Sequence, residues 1–174
     1  MRDITTFNNA LKFATEKHKG QFRKGTDRPY ITHPTLVAKL LDDAGCSDSV
    51  VIAGLLHDTI EDTDTTYDEI KTTFSKEVAD LVMEVTQTDK AKAFSSLDKK
   101  SEDGLRLKSA DTISNLMDIN ADYQIVGEAL FDRFASGRDV INHYRRVLQV
   151  IKSRLPVDDK MQQYIDLGLS LTNI

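Results

Sequence analysis

The chain has little of what holds small secreted domains together, or of what grips a nucleic-acid polymer. It carries one cysteine, Cys46, so an internal disulfide is excluded, and the count suits a reducing compartment. Tryptophan is absent and proline occurs three times. The longest apolar stretch, Val50 to Leu56, falls far short of the ~20 residues needed to cross a bilayer. Met1 to Thr6 offers no apolar core of a secretory signal, and the expected location is the cytoplasm. There is no long basic block: 23 Lys and Arg stand against 28 Asp and Glu, for a net charge of -5. This argues against a partner that is a nucleic-acid polymer, whose binding depends on a cationic surface. A small basic pocket for a phosphorylated ligand stays open. Histidine is scarce too, so any imidazole ligand to a metal must come from His18, His33, His57 or His143.

What is present fits one globular domain over residues 1–174. A chain this long buries roughly 70% of the surface that its unfolded form exposes. Apolar residues recur near the helical period almost throughout, and no useful run alternates as a strand would. Ile4, Phe7, Leu11 and Ala14 share a stripe, with a C-terminal cap expected at Gly20. Residues 20–32 read as a loop, and Pro34 suits the first turn of a helix ending near Gly45. Ser47 or Asp48 caps a third helix that runs to about His57. Thr66 to Glu69 has the spacing of a capping box, and a further helix carries Val78, Leu81, Val82 and Val85. Residues 87–103 read as a loop or frayed helix. Helices are expected at 105–118, 122–134, 138–154 and 158–171. The fold class is all-α, a compact multi-helix bundle.

The chemistry concentrates in HDTIEDT, residues 57–63. His57 emerges from the most apolar helix beside Asp58, and Glu61 and Asp62 follow one turn later. Carboxylates so close raise one another's pKa unless a cation compensates, and a divalent metal is the simplest compensator. A solvated acidic cap is the bland alternative. His33 in YITHP and Asp111, flanking the stripe Leu107, Ala110, Ile113 and Leu116, are further pointers. Taken singly, each has an ordinary explanation: a packing histidine, or a carboxylate in a salt bridge.

Together the motifs resemble the HD superfamily of metal-dependent phosphohydrolases. More narrowly they are similar to the alarmone hydrolases, the hydrolase half of the RelA/SpoT proteins and their small stand-alone relatives. The resemblance rests on HKGQFRKG at 18–25, YITHP at 30–34, AGLLHDTIEDT at 53–63, EIKTTFSKEVADLVMEVT at 69–86 and KSADTISNL at 108–116. It is strong over about residues 10–118 and weaker to about 155.

The resemblance implies an all-α HD bundle and one divalent metal, generally manganese (Mn2+), held by His33, His57, Asp58 and Asp111. It gives Glu61 and Asp62 the attacking water. Arg23, Lys24, Asn115 and Tyr144 fall at substrate-binding positions. The reaction it implies removes the 3′-pyrophosphate of ppGpp or pppGpp, giving GDP or GTP. A related nucleotide such as pppApp or NADPH, or an inactive nucleotide-binding regulator, is the alternative. Thr112 and Ser114 depart from the family's pattern, and with the negative Asp118 they are expected to alter the pocket wall. Lys90, Lys92, Lys99 and Lys100 are the candidates to replace a basic helix that the animal-type enzymes carry. His18 reads as a helix-end residue, His143 as a surface or packing residue, Cys46 as a turn residue, and Arg145 with Arg146 as a solvated helix face.

Overall fold

A computed structural model describes residues 3–86 and 97–174. The described residues form a bundle of α-helices with no strand, apart from an isolated antiparallel bridge between Phe22 and Pro29. Helix α1 spans Ile4–Lys17, α2 Thr32–Asp43, α3 Asp48–Leu56, α4 Thr59–Asp62, α5 Tyr67–Thr73 and α6 Lys76–Val85. After residue 97, α7 spans Glu102–Val126, a 3-10 segment Gly127–Arg133, α8 Asp139–Arg154 and α9 Met161–Ser170.

Caps set most of the starts. The side chains of Asp3, Ser47, Thr66, Ser75 and Ser101 each accept a backbone N–H of the first turn, filling donors that the helix leaves unpaired. Helix α3 differs from the rest because every residue from Val50 to Leu56 is buried. A helix that is apolar all round belongs in the core, and α3 packs on α1, α2, α6 and α7. Its contact with α2 is close. A Cβ on Gly54 would lie 2.7 Å from Leu41 Cδ1 and 3.4 Å from the Ala38 backbone. The end of α3 therefore delivers His57 from the middle of the molecule.

Three boundaries differ from expectation. Helix α1 ends at Lys17 with His18 as its cap, and Gly20, at φ +79°, opens the following loop instead. The helix expected at 105–118 runs on to Val126. No Gly or Pro interrupts 118–122, Ile119 extends the buried stripe of Ile113 and Leu116, and Asp118 and Asp122 are held by Arg23, Arg28 and Arg133. Gly127, at φ +59°, stops the helix, so the helix expected at 122–134 is the end of α7 followed by the 3-10 segment. Residues 87–96 of the expected loop lie outside the described residues.

Candidate metal centre and nucleotide cleft

Four elements bring the candidate ligands together. His33 stands in the first turn of α2, His57 and Asp58 at the junction of α3 and α4, and Asp111 in the middle of α7. His33, His57 and Asp111 are 2%, 4% and 9% exposed. One ligand atom from each of His33, His57 and Asp58 lies within 4.8 Å of the others. His33 Nε2 is 3.2 Å from Asp111 Oδ1 and 3.5 Å from Asp58 Oδ2. His57 Nε2 is 3.1 Å from Asp58 Oδ2 and 3.8 Å from Asp111 Oδ1.

The imidazoles are oriented from behind. His57 Nδ1 donates to the Gly54 carbonyl at 2.9 Å, and His33 Nδ1 lies 2.9 Å from Ser114 Oγ. Each ring therefore turns Nε2 toward the carboxylates, the arrangement that suits a metal-ligating histidine. His57 Nε2 is buried and, for all its closeness to Asp58, makes no well-directed hydrogen bond. A buried ring nitrogen without a well-directed partner, beside a second imidazole and two carboxylates, belongs to a donor set that fits a divalent ion once its proton is displaced. His33, His57 and Asp58, with Asp111 alongside, could hold it.

The clustered carboxylates are expected to raise one another's pKa unless a cation compensates, and here cationic groups do so. Burial pushes Asp58 up, but the charge of His57 beside it holds it below the usual carboxylate range. Burial likewise opposes charge on Asp111, and Lys108, 2.7 Å away, holds it well down. Burial depresses His33. His57 is also buried, yet the carboxylates of Asp58 and Asp111 hold it up at about 10. Without a metal, a proton on His57 is the compensating cation.

Glu61 and Asp62 lie on the short helix α4, and both line the cavity of about 180 Å3 in front of the candidate ligands. Asn115 lines it too, and its Nδ2 donates to Asp111 Oδ1 at 2.8 Å. Asn115 and Tyr30 form the wall shared with a neighbouring cleft of about 400 Å3. Arg23, Lys24 and Tyr144 line that cleft together with Arg28, Arg133 and Phe134. Arg23 donates to Asp118 Oδ2 at 2.7 Å and to Asn115 Oδ1 at 2.6 Å, and lies over the Tyr30 ring. Lys24 sits 5.4 Å from the centre of the Phe134 ring. Burial, then the Asp111 charge, pushes the Tyr144 phenol up to about 12.

Several expectations need correction. Thr112 and Ser114 do not wall the pocket: both are buried, Thr112 bonding the Lys108 carbonyl of its own helix and Ser114 the His33 ring. A polar side chain on the inner face of α7 satisfies itself against the bundle. Asp118 does line the cleft, but its charge is met by Arg23 and by Arg28, 3.0 Å away. Lys100 is tied to the Glu84 carbonyl and Lys99 is exposed, while Lys90 and Lys92 lie outside the described residues. Arg145 is no solvated side chain, because it bonds both the hydroxyl and the carbonyl of Thr172.

Sequence reasoning gave no role to Tyr30, Lys108 or Arg28. Tyr30 lies inside YITHP and Lys108 inside KSADTISNL, so the motifs contained two of them. Tyr30 donates to Asp58 Oδ2 at 2.7 Å and reaches Asp62 Oδ2 at 3.1 Å. Burial, and then Asp58, raises its phenol far above the ordinary value.

Two helix ends and the middle of a third helix, presenting two buried imidazoles and two acids beside a basic cleft, define the class of helical histidine–aspartate proteins able to hold a metal. The chain belongs to the HD domain family, whose profile matches residues 10–153. Among its relatives is the MESH1 protein of Danio rerio, named guanosine-3′,5′-bis(diphosphate) 3′-pyrophosphohydrolase. It is 32% identical over 177 residues, covering 92% of this chain and 93% of that protein. An Aquifex aeolicus protein of the same enzyme name is 54% identical over 83 residues; the match spans 48% of this chain and 12% of that much longer relative. Among solved structures, a metazoan ortholog of SpoT described as hydrolysing ppGpp superposes with a TM-score of 0.75. It is 23% identical and covers 99% of this chain and 98% of its own, a likeness of fold.

Proposed function

We propose that the protein is a metal-dependent pyrophosphohydrolase that removes the 3′-pyrophosphate of ppGpp or pppGpp. The observation that carries this reading is the group of buried His33 and His57 with half-buried Asp58 and Asp111 beside it, next to a cleft lined by Arg23 and Lys24. The enzyme names of the relatives support the same substrate class. His33, His57, Asp58 and Asp111 would hold one divalent ion, which we take to be Mn2+. When bound, such an ion supplies Lewis acidity to water and to a phosphoryl oxygen.

The protein's own groups do the rest. Glu61 and Asp62, at the mouth of the cavity, orient the attacking water and accept its proton. Water adds to the phosphorus on the ribose 3′-oxygen, the bond between them breaks, and pyrophosphate departs as the sugar hydroxyl regains a proton. Asn115 links the two cavities and is placed to meet the sugar and phosphates. Arg23 and Lys24 meet the nucleotide, the guanidinium by stacking and the ammonium as a point charge. Tyr144 lines the same cleft and meets the nucleotide there. Residues 1–174 act as one hydrolase domain, and a reducing compartment such as the cytoplasm suits the lone thiol of Cys46.

The test is direct. Metal-stripped protein given Mn2+ and ppGpp should release pyrophosphate, and a folded protein that releases none refutes the substrate assignment. Turnover on pppApp, NADPH and a simple phosphomonoester, measured alongside, ranks the nucleotides. Asp58→Ala should abolish turnover with the helical fold intact. Full activity in that variant would overturn the site assignment.

A further inference from the structure

The HKGQ segment and Tyr30 have no part in the mechanism above, yet they close around it. The Tyr30 hydroxyl donates to Asp58 Oδ2, the same oxygen that faces both imidazoles, and also reaches Asp62 Oδ2. A phenol has one proton and these are two carboxylates, so this single group joins a candidate metal ligand to a candidate water-orienting acid. Behind it, His18 is buried, and its ring lies 4.7 Å from that of Tyr30 with planes tilted by 32°. His18 Nδ1 donates to Gln21 Oε1 at 2.8 Å, and Gln21 Nε2 donates to the Asp62 carbonyl at 2.9 Å. Helix α4 is a single turn of four residues, too short to fix its own direction. It is gripped at Asp62 by side chain and backbone from one loop.

We infer that Tyr30 is a positioning residue for the reaction, holding the Asp58 carboxylate toward the metal and Asp62 at a fixed place beside it, with His18 and Gln21 buttressing Tyr30 and α4. This rests on the function proposed above. Partners of metal ligands are worth 10- to 100-fold in affinity or activity, and removal of this one should show in both.

The experiment compares Tyr30→Phe and Gln21→Leu with wild type, by calorimetric titration of the metal-stripped full chain with Mn2+ and by steady-state kinetics on ppGpp. Tyr30→Phe keeps the ring under Arg23 and against His18. Its Mn2+ affinity should fall about tenfold and its kcat by tenfold or more, with KM within about twofold. Gln21→Leu removes the direct bond to α4 and reaches Asp58 only through His18 and Tyr30, so kcat should fall by a larger factor than Mn2+ affinity does. A Tyr30→Phe protein that binds Mn2+ and turns over as wild type does overturns the inference. So does a loss of thermal stability in that variant with both readouts unmoved. If wild type binds Mn2+ but releases no pyrophosphate, the substrate reading falls, and the Mn2+ affinity of Tyr30→Phe still decides for or against Tyr30.

Discussion

His33 and His57 present the same nitrogen to the site because each has its other nitrogen occupied, one by a hydroxyl and one by a carbonyl. The carbonyl belongs to the backbone and no substitution removes it. The hydroxyl of Ser114 can be deleted. Ser114→Ala should leave the fold unchanged, weaken Mn2+ binding about tenfold and leave KM for the nucleotide unaltered; equal Mn2+ affinity in the two proteins would show that packing alone orients His33. His57 gives a second prediction, with a definite sign. Its pKa in the folded, metal-free protein is raised to about 10 from an ordinary 6.5, so its proton stabilises that state below about pH 6.5 and is lost as pH rises through about 10. A metal must displace that proton. Apparent Mn2+ affinity should therefore rise about tenfold from pH 6.5 to pH 7.5, with close to one proton released per ion. A flat profile in titrations at the two pH values would mean that His57 is neutral before the metal arrives. The ligands themselves were legible in the sequence, since HD, the motif histidine and the later aspartate come in recognisable strings. Ser114 and Tyr30 were not, because their partners lie 81 and 28 residues away and no local spacing reports such a pairing.

Helix α7 is the element that joins the two halves of the site. Asp111, Asn115, Asp118 and Asp122 recur at intervals of four, three and four residues, so they share one face. Each is engaged: Asp111 by Lys108 and Asn115, Asn115 by Arg23, Asp118 by Arg23 and Arg28, and Asp122 by Arg28 and Arg133. This ladder docks the 20–32 loop against α7. Gly25 lets Arg133 lie across it, since a Cβ there would come within 2.6 Å of the Arg133 side chain. Arg28 spans Asp118 and Asp122 with three hydrogen bonds, and a planar fork is suited to that as an amide or ammonium is not. Arg28→Gln should raise KM for ppGpp severalfold, through a looser Arg23 and Lys24, while Mn2+ affinity stays at the wild-type value. A fall in kcat with KM unchanged would place Arg28 with the metal half of the site instead. Sequence periodicity found the stripe of this helix but cut it at Asp118. Asp118 and Asp122 add nothing to an apolar stripe, and the arginines that hold them against the bundle lie far away in sequence or in another element.

At the scale of the whole molecule, the site lies where α2, the α3–α4 junction and α7 meet, and the same helices build the core. Helix α3 packs against four others and ends at His57, so a ligand gripping His57, Asp58, His33 and Asp111 ties α2, α3 and α7 at one point. Unfolding must then release the ion along with the core, and binding to the native state alone stabilises by an amount set by mass action. At a free Mn2+ concentration 100 times its dissociation constant the gain is about 2.7 kcal/mol. For a chain of this length that corresponds to a rise in Tm of about 5–10 °C. Asp58→Ala should remove the metal-dependent rise, and Tyr30→Phe should move it to higher Mn2+ concentration. Lys24→Ala, in the cleft, should keep it. Thermal melts of the four proteins across a Mn2+ series make the comparison. A wild-type Tm that does not move with Mn2+ would mean that the ion does not bind across these helices, whatever its effect on turnover. A rise that survives in Asp58→Ala would locate the stabilising ion elsewhere on this acidic chain.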